Sequence, residues 1–349
     1  MLRHRKILFS LLFLVIFIGI SLFFTLMNNI INSATQEEST TISKVGIKGL
    51  PYGVELSETI IFEDELYVYY EDRIVEKYFN DSNANKQSIN SIQSFFDVLP
   101  SNVNKYVSIV PMAITYEEVE PYSEASILAM NEIKEGIDAN WIDIHSVYQE
   151  KIDEYLYFRT DPRLTSLGAY YIAKEFLDSK GLEVIDINRY REDRRAKVSG
   201  IYMLLENSTL TPSHEDTVVS YFLDDSINHQ LVTVRNDDET LTFESPTIAI
   251  SRRGLDIFVE GSISDSILSG DGVDNAIIVI GDYSAIVVST WLTPYYKHVI
   301  VINSAFYVKT KTEFFELFNE YKVTDVILVE SISSIGDSSL NSKLKMIYE

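Results

Sequence analysis

Residues 275–302 read NAIIVIGDYSAIVVSTWLTPYYKHVIVI, a pattern typical of a βαβ unit. A first apolar run ends at Ile280, a turn follows at Gly281, and a second apolar run closes the stretch after a helix-length segment. Such a unit implies a parallel sheet covered by helices. Its first turn lies at the carboxyl end of a strand, where open α/β sheets bind their ligands.

The turn after the first strand has two interpretations. The polar cluster from Gly281 to Ala285 could present a serine nucleophile at a sharp strand-to-helix turn. Alternatively, Asp282 simply caps a helix after a glycine turn. The pattern alone favours the cap.

Other segments extend the α/β pattern along the chain. Apolar residues recur at helical spacing in residues 88–99, 125–137, 166–181 and 314–321. Apolar runs predict strands at residues 105–113, 141–144 and 326–329, and residues 54–70 predict a hairpin. Strand-like runs with little helix between them predict an inserted β-rich patch at residues 201–205, 218–222, 231–234 and 257–259.

The amino-terminal segment is typical of a membrane anchor. An apolar run from Ile7 to Met27 is long enough to cross a bilayer as a helix, and Arg3, Arg5 and Lys6 precede it. We expect a cytoplasmic tip and signal anchor in residues 1–27, a polar linker in 28–50 and one extracytoplasmic domain in 51–349. The alternative is a signal peptide cleaved near Ser33 and Ala34.

Composition excludes several classes of function. The formal net charge of −23 argues against nucleic-acid binding, which requires a basic surface. The chain contains no cysteine, so it has neither disulfides nor a thiolate metal site or nucleophile. Acidic residues such as Asp216, Asp224 and Asp225 are expected to be solvated loop residues. We therefore predict no metal and no cofactor.

A second stretch, residues 155–171, reads YLYFRTDPRLTSLGAYY. Together with the turn after Ile280, it resembles the DHHW family, whose members are related to alginate O-acetyltransferases and SGNH hydrolases. The family motif is Tyr-x-Arg-Thr-Asp-His-His-Trp-Thr-x-x-Gly-Ala-Tyr, followed later by a strand that ends in Asp-Ser-Tyr-Ala. Positions kept here are Tyr157, Arg159, Thr160, Asp161, Thr165, Gly168, Ala169, Tyr170, Asp282 and Ala285. The resemblance implies an SGNH-hydrolase-like, flavodoxin-like parallel sheet flanked by helices.

The resemblance also implies a catalytic triad, and this chain departs from it. In the family a serine attacks an acyl carbonyl, a histidine takes its proton and an aspartate orients the histidine. Asp161 stands at the aspartate position, but the histidine position is Arg163 and the serine position is Tyr283, with Ser284 one residue later. The other altered positions are Pro162 and Leu164 in the first motif. In a later stretch, where the family has Gly-Gly-Asn that helps the oxyanion, Glu260 and Ser262 are altered and Gly261 is kept.

Three functions are consistent with these residues. The first is a catalytically inactive, membrane-anchored DHHW protein that binds an envelope glycan or scaffolds a membrane-bound acyltransferase, because an arginine cannot act as general base. The second is an active O-acetyltransferase or esterase that uses Ser284 with Asp161 and a histidine from elsewhere, either His145, His214, His229 or His298. The third is a structural surface protein.

Overall fold

The computed structural model describes residues 56–349, with gaps at 211–215, 224–228, 237–238, 247–257, 260–264, 308 and 337. The described strands are β1 (Ile60–Glu63), β2 (Tyr67–Tyr70), β3 (Ile74–Glu76), β4 (Asn104–Val110), β5 (Asn140–Trp141), β6 (Tyr190–Val198), β7 (Asp216–Leu223), β8 (His229–Asn236), β9 (Glu239–Pro246), β10 (Asp265–Ser269), β11 (Val273–Gly281), β12 (Tyr296–Asn303) and β13 (Val323–Ser331). The described helices are α1 (Ser82–Val98), α2 (Tyr122–Gly136), α3 (Ile144–Glu150), α4 (Ser166–Ser179), α5 (Tyr283–Leu292), α6 (Lys311–Tyr321) and α7 (Ser338–Tyr348).

The predicted βαβ unit is β11-α5-β12, and it lies in the centre of an eight-stranded sheet. Its strands are apolar on both faces because both faces are covered. In β11, Ile277 and Val279 pack into one buried cluster with α4 and α5, whereas Ile278 and Ile280 pack into a second with α1, α2, α6 and α7. The helices therefore form a layer on each side of the sheet.

The strand order of this sheet is β5-β4-β13-β11-β12-β10-β8-β9. The first five strands are parallel to one another, and the last three continue the sheet antiparallel. The predicted parallel sheet flanked by helices is present in these five strands, but the sheet as a whole is mixed because β10, β8 and β9 pair antiparallel. The last strand in the chain, β13, lies between β4 and β11.

The β-rich insert is divided between two places. Strands β8, β9 and β10 join the main sheet, while β6 and β7 form a separate antiparallel ribbon. Ile201–Leu204, predicted as a strand, is a 3₁₀ turn. A short apolar run is compatible with either structure, and none of the described strands pairs with this one.

The predicted amino-terminal hairpin is present as β1 and β2, and β3 extends it to three antiparallel strands. It packs on the 3₁₀ turn, since Tyr69 and Ile74 form a small buried cluster with Tyr202. The backbone N–H of Ile74 also donates to the carbonyl of Arg159 at 2.9 Å. The small sheet is thus attached to the loop that carries the first family-like motif.

The predicted anchor, from Ile7 to Met27, lies outside the described residues, as does the linker that follows it. Within the described ranges, no helix has the length and apolar character that crossing a bilayer requires.

Candidate functional site

A cleft of about 310 Å³ opens at the carboxyl ends of the central parallel strands β4, β11 and β13. Pro111 and Met112 follow β4, Asp282 follows β11, and Ser331 ends β13; all four line the cleft. The loop between α3 and α4 closes another side with residues 152–159 and 161–164. The cleft is therefore at the position that the βαβ pattern predicts for a ligand site.

The turn between β11 and α5 is held by Gly281 and Asp282. Gly281 has a φ of +155°, and a Cβ atom there would lie 1.7 Å from the carbonyl oxygen of Val329. The Asp282 carboxylate accepts from the backbone N–H of Ser284 at 2.8 Å and from that of Ser331 at 3.0 Å. Asp282 thus caps α5 and ties it to β13, which supports the capping interpretation of this residue.

The two candidate nucleophile positions both line the cleft. Ser284 is 5% exposed, in the first turn of α5. The ring of Tyr283 lies beneath the guanidinium of Arg163, with the Cζ atom 4.9 Å from the ring centroid. Consecutive residues in the first turn of a helix point in different directions, so Ser284 does not replace a serine at position 283.

The Asp161 and Arg163 side chains form a bidentate ion pair. Arg163 Nε donates to Asp161 Oδ1 at 2.6 Å, and Arg163 Nη2 donates to Oδ2 at 2.8 Å. The backbone N–H of Ile201 donates to Oδ2 at 3.1 Å. The Asp161 side chain is 1% exposed and that of Arg163 is 35% exposed. A fork-shaped guanidinium matched to a buried carboxylate is a strong, directional contact.

The retained motif residues around this pair are structural. Thr165 caps α4, since its Oγ1 accepts from the backbone N–H of Gly168 at 3.3 Å, and it also donates to the carbonyl of Tyr155 at 2.5 Å. A Cβ atom at Gly168 would lie 2.7 Å from the carbonyl oxygen of Leu156. Of the two altered positions beside them, Leu164 is buried in the core and Pro162 is exposed at the cleft. These contacts fix the loop that carries Asp161.

A comparison of the sequence with known protein families identifies the family of this chain. A model of the DHHW protein family matches residues 36–250. The chain belongs to the DHHW family. No curated protein sequence matches the chain.

Two solved structures show the same fold at low sequence identity. A DHHW family protein from Eubacterium siraeum is 18% identical, with a TM-score of 0.69 over 86% of this chain and 98% of that one. PatB1 of Bacillus cereus, solved with a sulfonyl adduct, is 12% identical, with a TM-score of 0.61 over 81% of this chain and 99% of that one. The O-acetyltransferase domain of Pseudomonas putida AlgJ is 13% identical, with a TM-score of 0.46 over 82% of this chain and 98% of that one.

None of the described histidine side chains of this DHHW protein lines the cleft. His145 stacks on Tyr116 with ring centroids 5.5 Å apart, and its Nδ1 lies 3.3 Å from the Tyr116 hydroxyl. His298 lies near the start of β12, at the opposite end of the sheet, with its ring against Tyr321. His214 and the side chain of His229 lie outside the described residues, as do Glu260, Gly261 and Ser262.

Asp216, the first residue of β7, is a residue whose surroundings sequence reasoning misjudged. The prediction of a solvated loop residue is wrong, because Asp216 is 2% exposed. Its carboxylate accepts from the backbone N–H groups of Arg159 and Thr160 at 2.7 and 2.8 Å, and also from the Thr160 and Tyr155 hydroxyls. Burial raises its pKa, while these four donors favour the ionised form. Asp216 thus holds the segment just before Asp161.

A network of charged side chains on the other wall was also missed by sequence reasoning. Arg73 donates from Nε and Nη2 to the two carboxylate oxygens of Glu117 at 2.9 and 2.7 Å, and from Nη1 to Asp72 at 2.7 Å. The Arg159 guanidinium approaches the other oxygen of Asp72 at 3.9 Å. Glu117 lies 44 residues after Arg73, and Arg159 is farther still from Asp72, so no local spacing signals these contacts. They join the small amino-terminal sheet to the cleft.

Proposed function

We propose that this protein is a catalytically inactive DHHW-family protein that binds an envelope glycan in its cleft. The observation that carries the proposal is the bidentate pair of Arg163 with Asp161. In the family, the aspartate orients the histidine that serves as general base. Here both oxygens of that aspartate are occupied by a guanidinium, which stays protonated at any ordinary pH and cannot accept a proton.

The nucleophile position supports the same proposal. Tyr283 stands where the family has its serine, and its ring packs against Arg163 instead of a base. A phenol with a pKa of about 10 is a weak nucleophile near neutral pH without a neighbouring base. The base position and the nucleophile position are therefore filled by two side chains that contact each other.

The cellular location that we propose is inferred from the amino-terminal sequence and from membership of the DHHW family. We propose that residues 7–27 anchor the chain as a single membrane span and that the domain lies outside the cell membrane. There it would bind a glycan that is O-acylated, or scaffold a membrane-bound acyltransferase. A cleft of about 310 Å³ argues against a purely structural surface protein, because it falls within the size range of small-molecule sites.

The test is ester turnover by the full-length protein with p-nitrophenyl acetate. We expect no turnover above background in the wild type and measurable turnover in the double variant Arg163→His with Tyr283→Ser. That result would mean that the scaffold is intact and only the reacting groups are replaced. Each single variant is the matched control, since a histidine without the serine, or a serine without the histidine, leaves the triad incomplete.

An active site built on Ser284 is the competing function. Its hydroxyl lines the cleft at the amino end of α5, where backbone N–H groups favour a developing negative charge. Turnover in the wild type that disappears in Ser284→Ala would establish this function and refute the inactive one. Turnover that persists in Ser284→Ala would place the chemistry on another group.

A further inference from the structure

Among the carboxylates that line the cleft and are at least partly buried, all but one are held by several donors. Glu117 is paired with Arg73, Asp161 with Arg163, and Asp282 caps α5. Glu154 accepts from the Tyr171 hydroxyl at 2.6 Å and lies 3.3 Å from Lys151. The exposed Asp153 needs no partner other than water.

Glu76 is the exception. It is the last residue of β3, it is half-buried and it lines the cleft. It receives one long hydrogen bond, from the Tyr202 hydroxyl at 3.5 Å, and within the described residues no ion pair reaches it. Burial raises the pKa of this carboxyl. A carboxylate that has lost water without gaining a partner is poorly stabilised until a donor or a cation approaches it.

Tyr202 is fixed beside Glu76. Its backbone N–H donates to the carbonyl of Thr160 at 2.9 Å, and its ring packs edge-on against Tyr67 with centroids 5.5 Å apart. Tyr202 is 4% exposed and also lines the cleft. An ammonium group at this place can donate to the Glu76 carboxylate and also to the oxygen of the Tyr202 hydroxyl beside it.

The cationic side chains of the cleft do not favour an anionic ligand. The charges of Arg73 and Arg163 are each neutralised by a carboxylate in bidentate contact, and the guanidinium of Arg159 lies 3.9 Å from the Asp72 carboxylate. The remaining wall includes apolar surface from the half-buried Tyr157 and the exposed Pro162, which suits the C–H face of a sugar ring.

Resting on the glycan-binding function proposed above, we propose that Glu76 and Tyr202 form a subsite for a primary ammonium group. The ligand is then a glycan that contains amino sugars with free amines, not N-acylated ones and not uronates. Acylation of the amine would remove its charge and add bulk next to Glu76.

The experiment is calorimetric titration of the full-length protein in detergent at about pH 6, where the sugar amines are protonated. The two probes are a β-1,4-linked glucosamine tetrasaccharide and its fully N-acetylated counterpart. We expect the glucosamine oligomer to bind at least about tenfold more tightly, the contribution of one charge-assisted contact. In Glu76→Gln the preference should fall to about twofold or less.

The matched control is Glu65→Gln, which removes an exposed carboxylate outside the cleft from the same small sheet. It should leave the preference for the amine unchanged. Equal binding of both oligomers by the wild type would overturn the ammonium subsite but leave glycan binding in place. Binding of neither oligomer, or a preference that survives in Glu76→Gln, would overturn it as well. The ester assay contains no glycan, so the inactivity of the triad positions is judged independently.

Discussion

The side chain at position 163 determines what the family's catalytic aspartate does in this protein. Asp161 is almost fully buried, and its two oxygens receive two guanidinium N–H groups and the backbone N–H of Ile201. A neutral imidazole at the same place would leave one ring nitrogen to take a proton, whereas a guanidinium has only donors. In this structure the carboxylate is therefore one half of a buried ion pair.

Removing this partner should destabilise the fold. Arg163→Met leaves Asp161 buried without its counter-charge, and we expect a loss of about 1–2 kcal/mol in the free energy of unfolding. Adding Asp161→Asn should recover part of that loss, because the buried charge is then gone. Chemical denaturation of both variants measures the effect. The control is Lys174→Met, which breaks an exposed ion pair with Asp178 and should cost less than about 1 kcal/mol. Equal losses in Arg163→Met and Lys174→Met would contradict the argument.

At the scale of elements, the cleft is built where β11 turns into α5. Gly281 allows the backbone of this turn to approach β13 closely, and Asp282 then ties the start of α5 to the end of β13. Gly281 and Asp282 together determine where Tyr283 and Ser284 lie in the cleft. The turn is consequently rigid whether or not it carries a catalytic group.

We expect Gly281→Ala to be severely destabilising. The new Cβ would lie 1.7 Å from the Val329 carbonyl oxygen, so β11 and β13 would have to separate. The loss should exceed about 3 kcal/mol, well above the conformational penalty of about 1–2 kcal/mol for a non-glycine residue at positive φ. Gly181→Ala isolates that penalty, because Gly181 has a φ of +68° with nothing near its Cβ position. Denaturation midpoints that fall by the same amount in both variants would show that the close approach is not the cause.

The positions of single helices and strands can be predicted from the sequence better than the distant segments with which they pair. The β11-α5-β12 unit and α4 follow from apolar periodicity and, for the unit, from the turn at Gly281, both of which are local signals. The insertion of β13 between β4 and β11 depends on pairing between residues more than 200 positions apart, which no local pattern encodes. Asp216 was misjudged for the same reason, since its partners lie 56 to 61 residues earlier in the chain.

For the whole molecule, the buried tyrosines make the free energy of unfolding depend on pH in the alkaline range. The chain has 22 tyrosines, and burial is the main cause that raises the pKa of Tyr69, Tyr78 and Tyr321 to about 12. A phenol whose pKa is about 10 in the unfolded chain and higher in the folded one keeps its proton more firmly when folded. Its contribution to stability is therefore complete below about pH 10 and is lost as the pH rises through 12.

We accordingly expect the free energy of unfolding to stay level up to about pH 10 and then to decline steeply. Tyr69 and Tyr78 are nearly inaccessible to solvent, and each should account for a loss of about 2 kcal/mol at pH 12. Denaturant unfolding measured from pH 8 to 12, together with tyrosinate absorbance, tests this. The phenylalanine in Tyr78→Phe has no proton to lose. The free energy of unfolding of this variant should therefore fall by about 2 kcal/mol less than that of the wild type at pH 12. Identical declines in the wild type and in Tyr78→Phe would mean that lysine deprotonation, and not buried phenols, sets the alkaline limit of this fold.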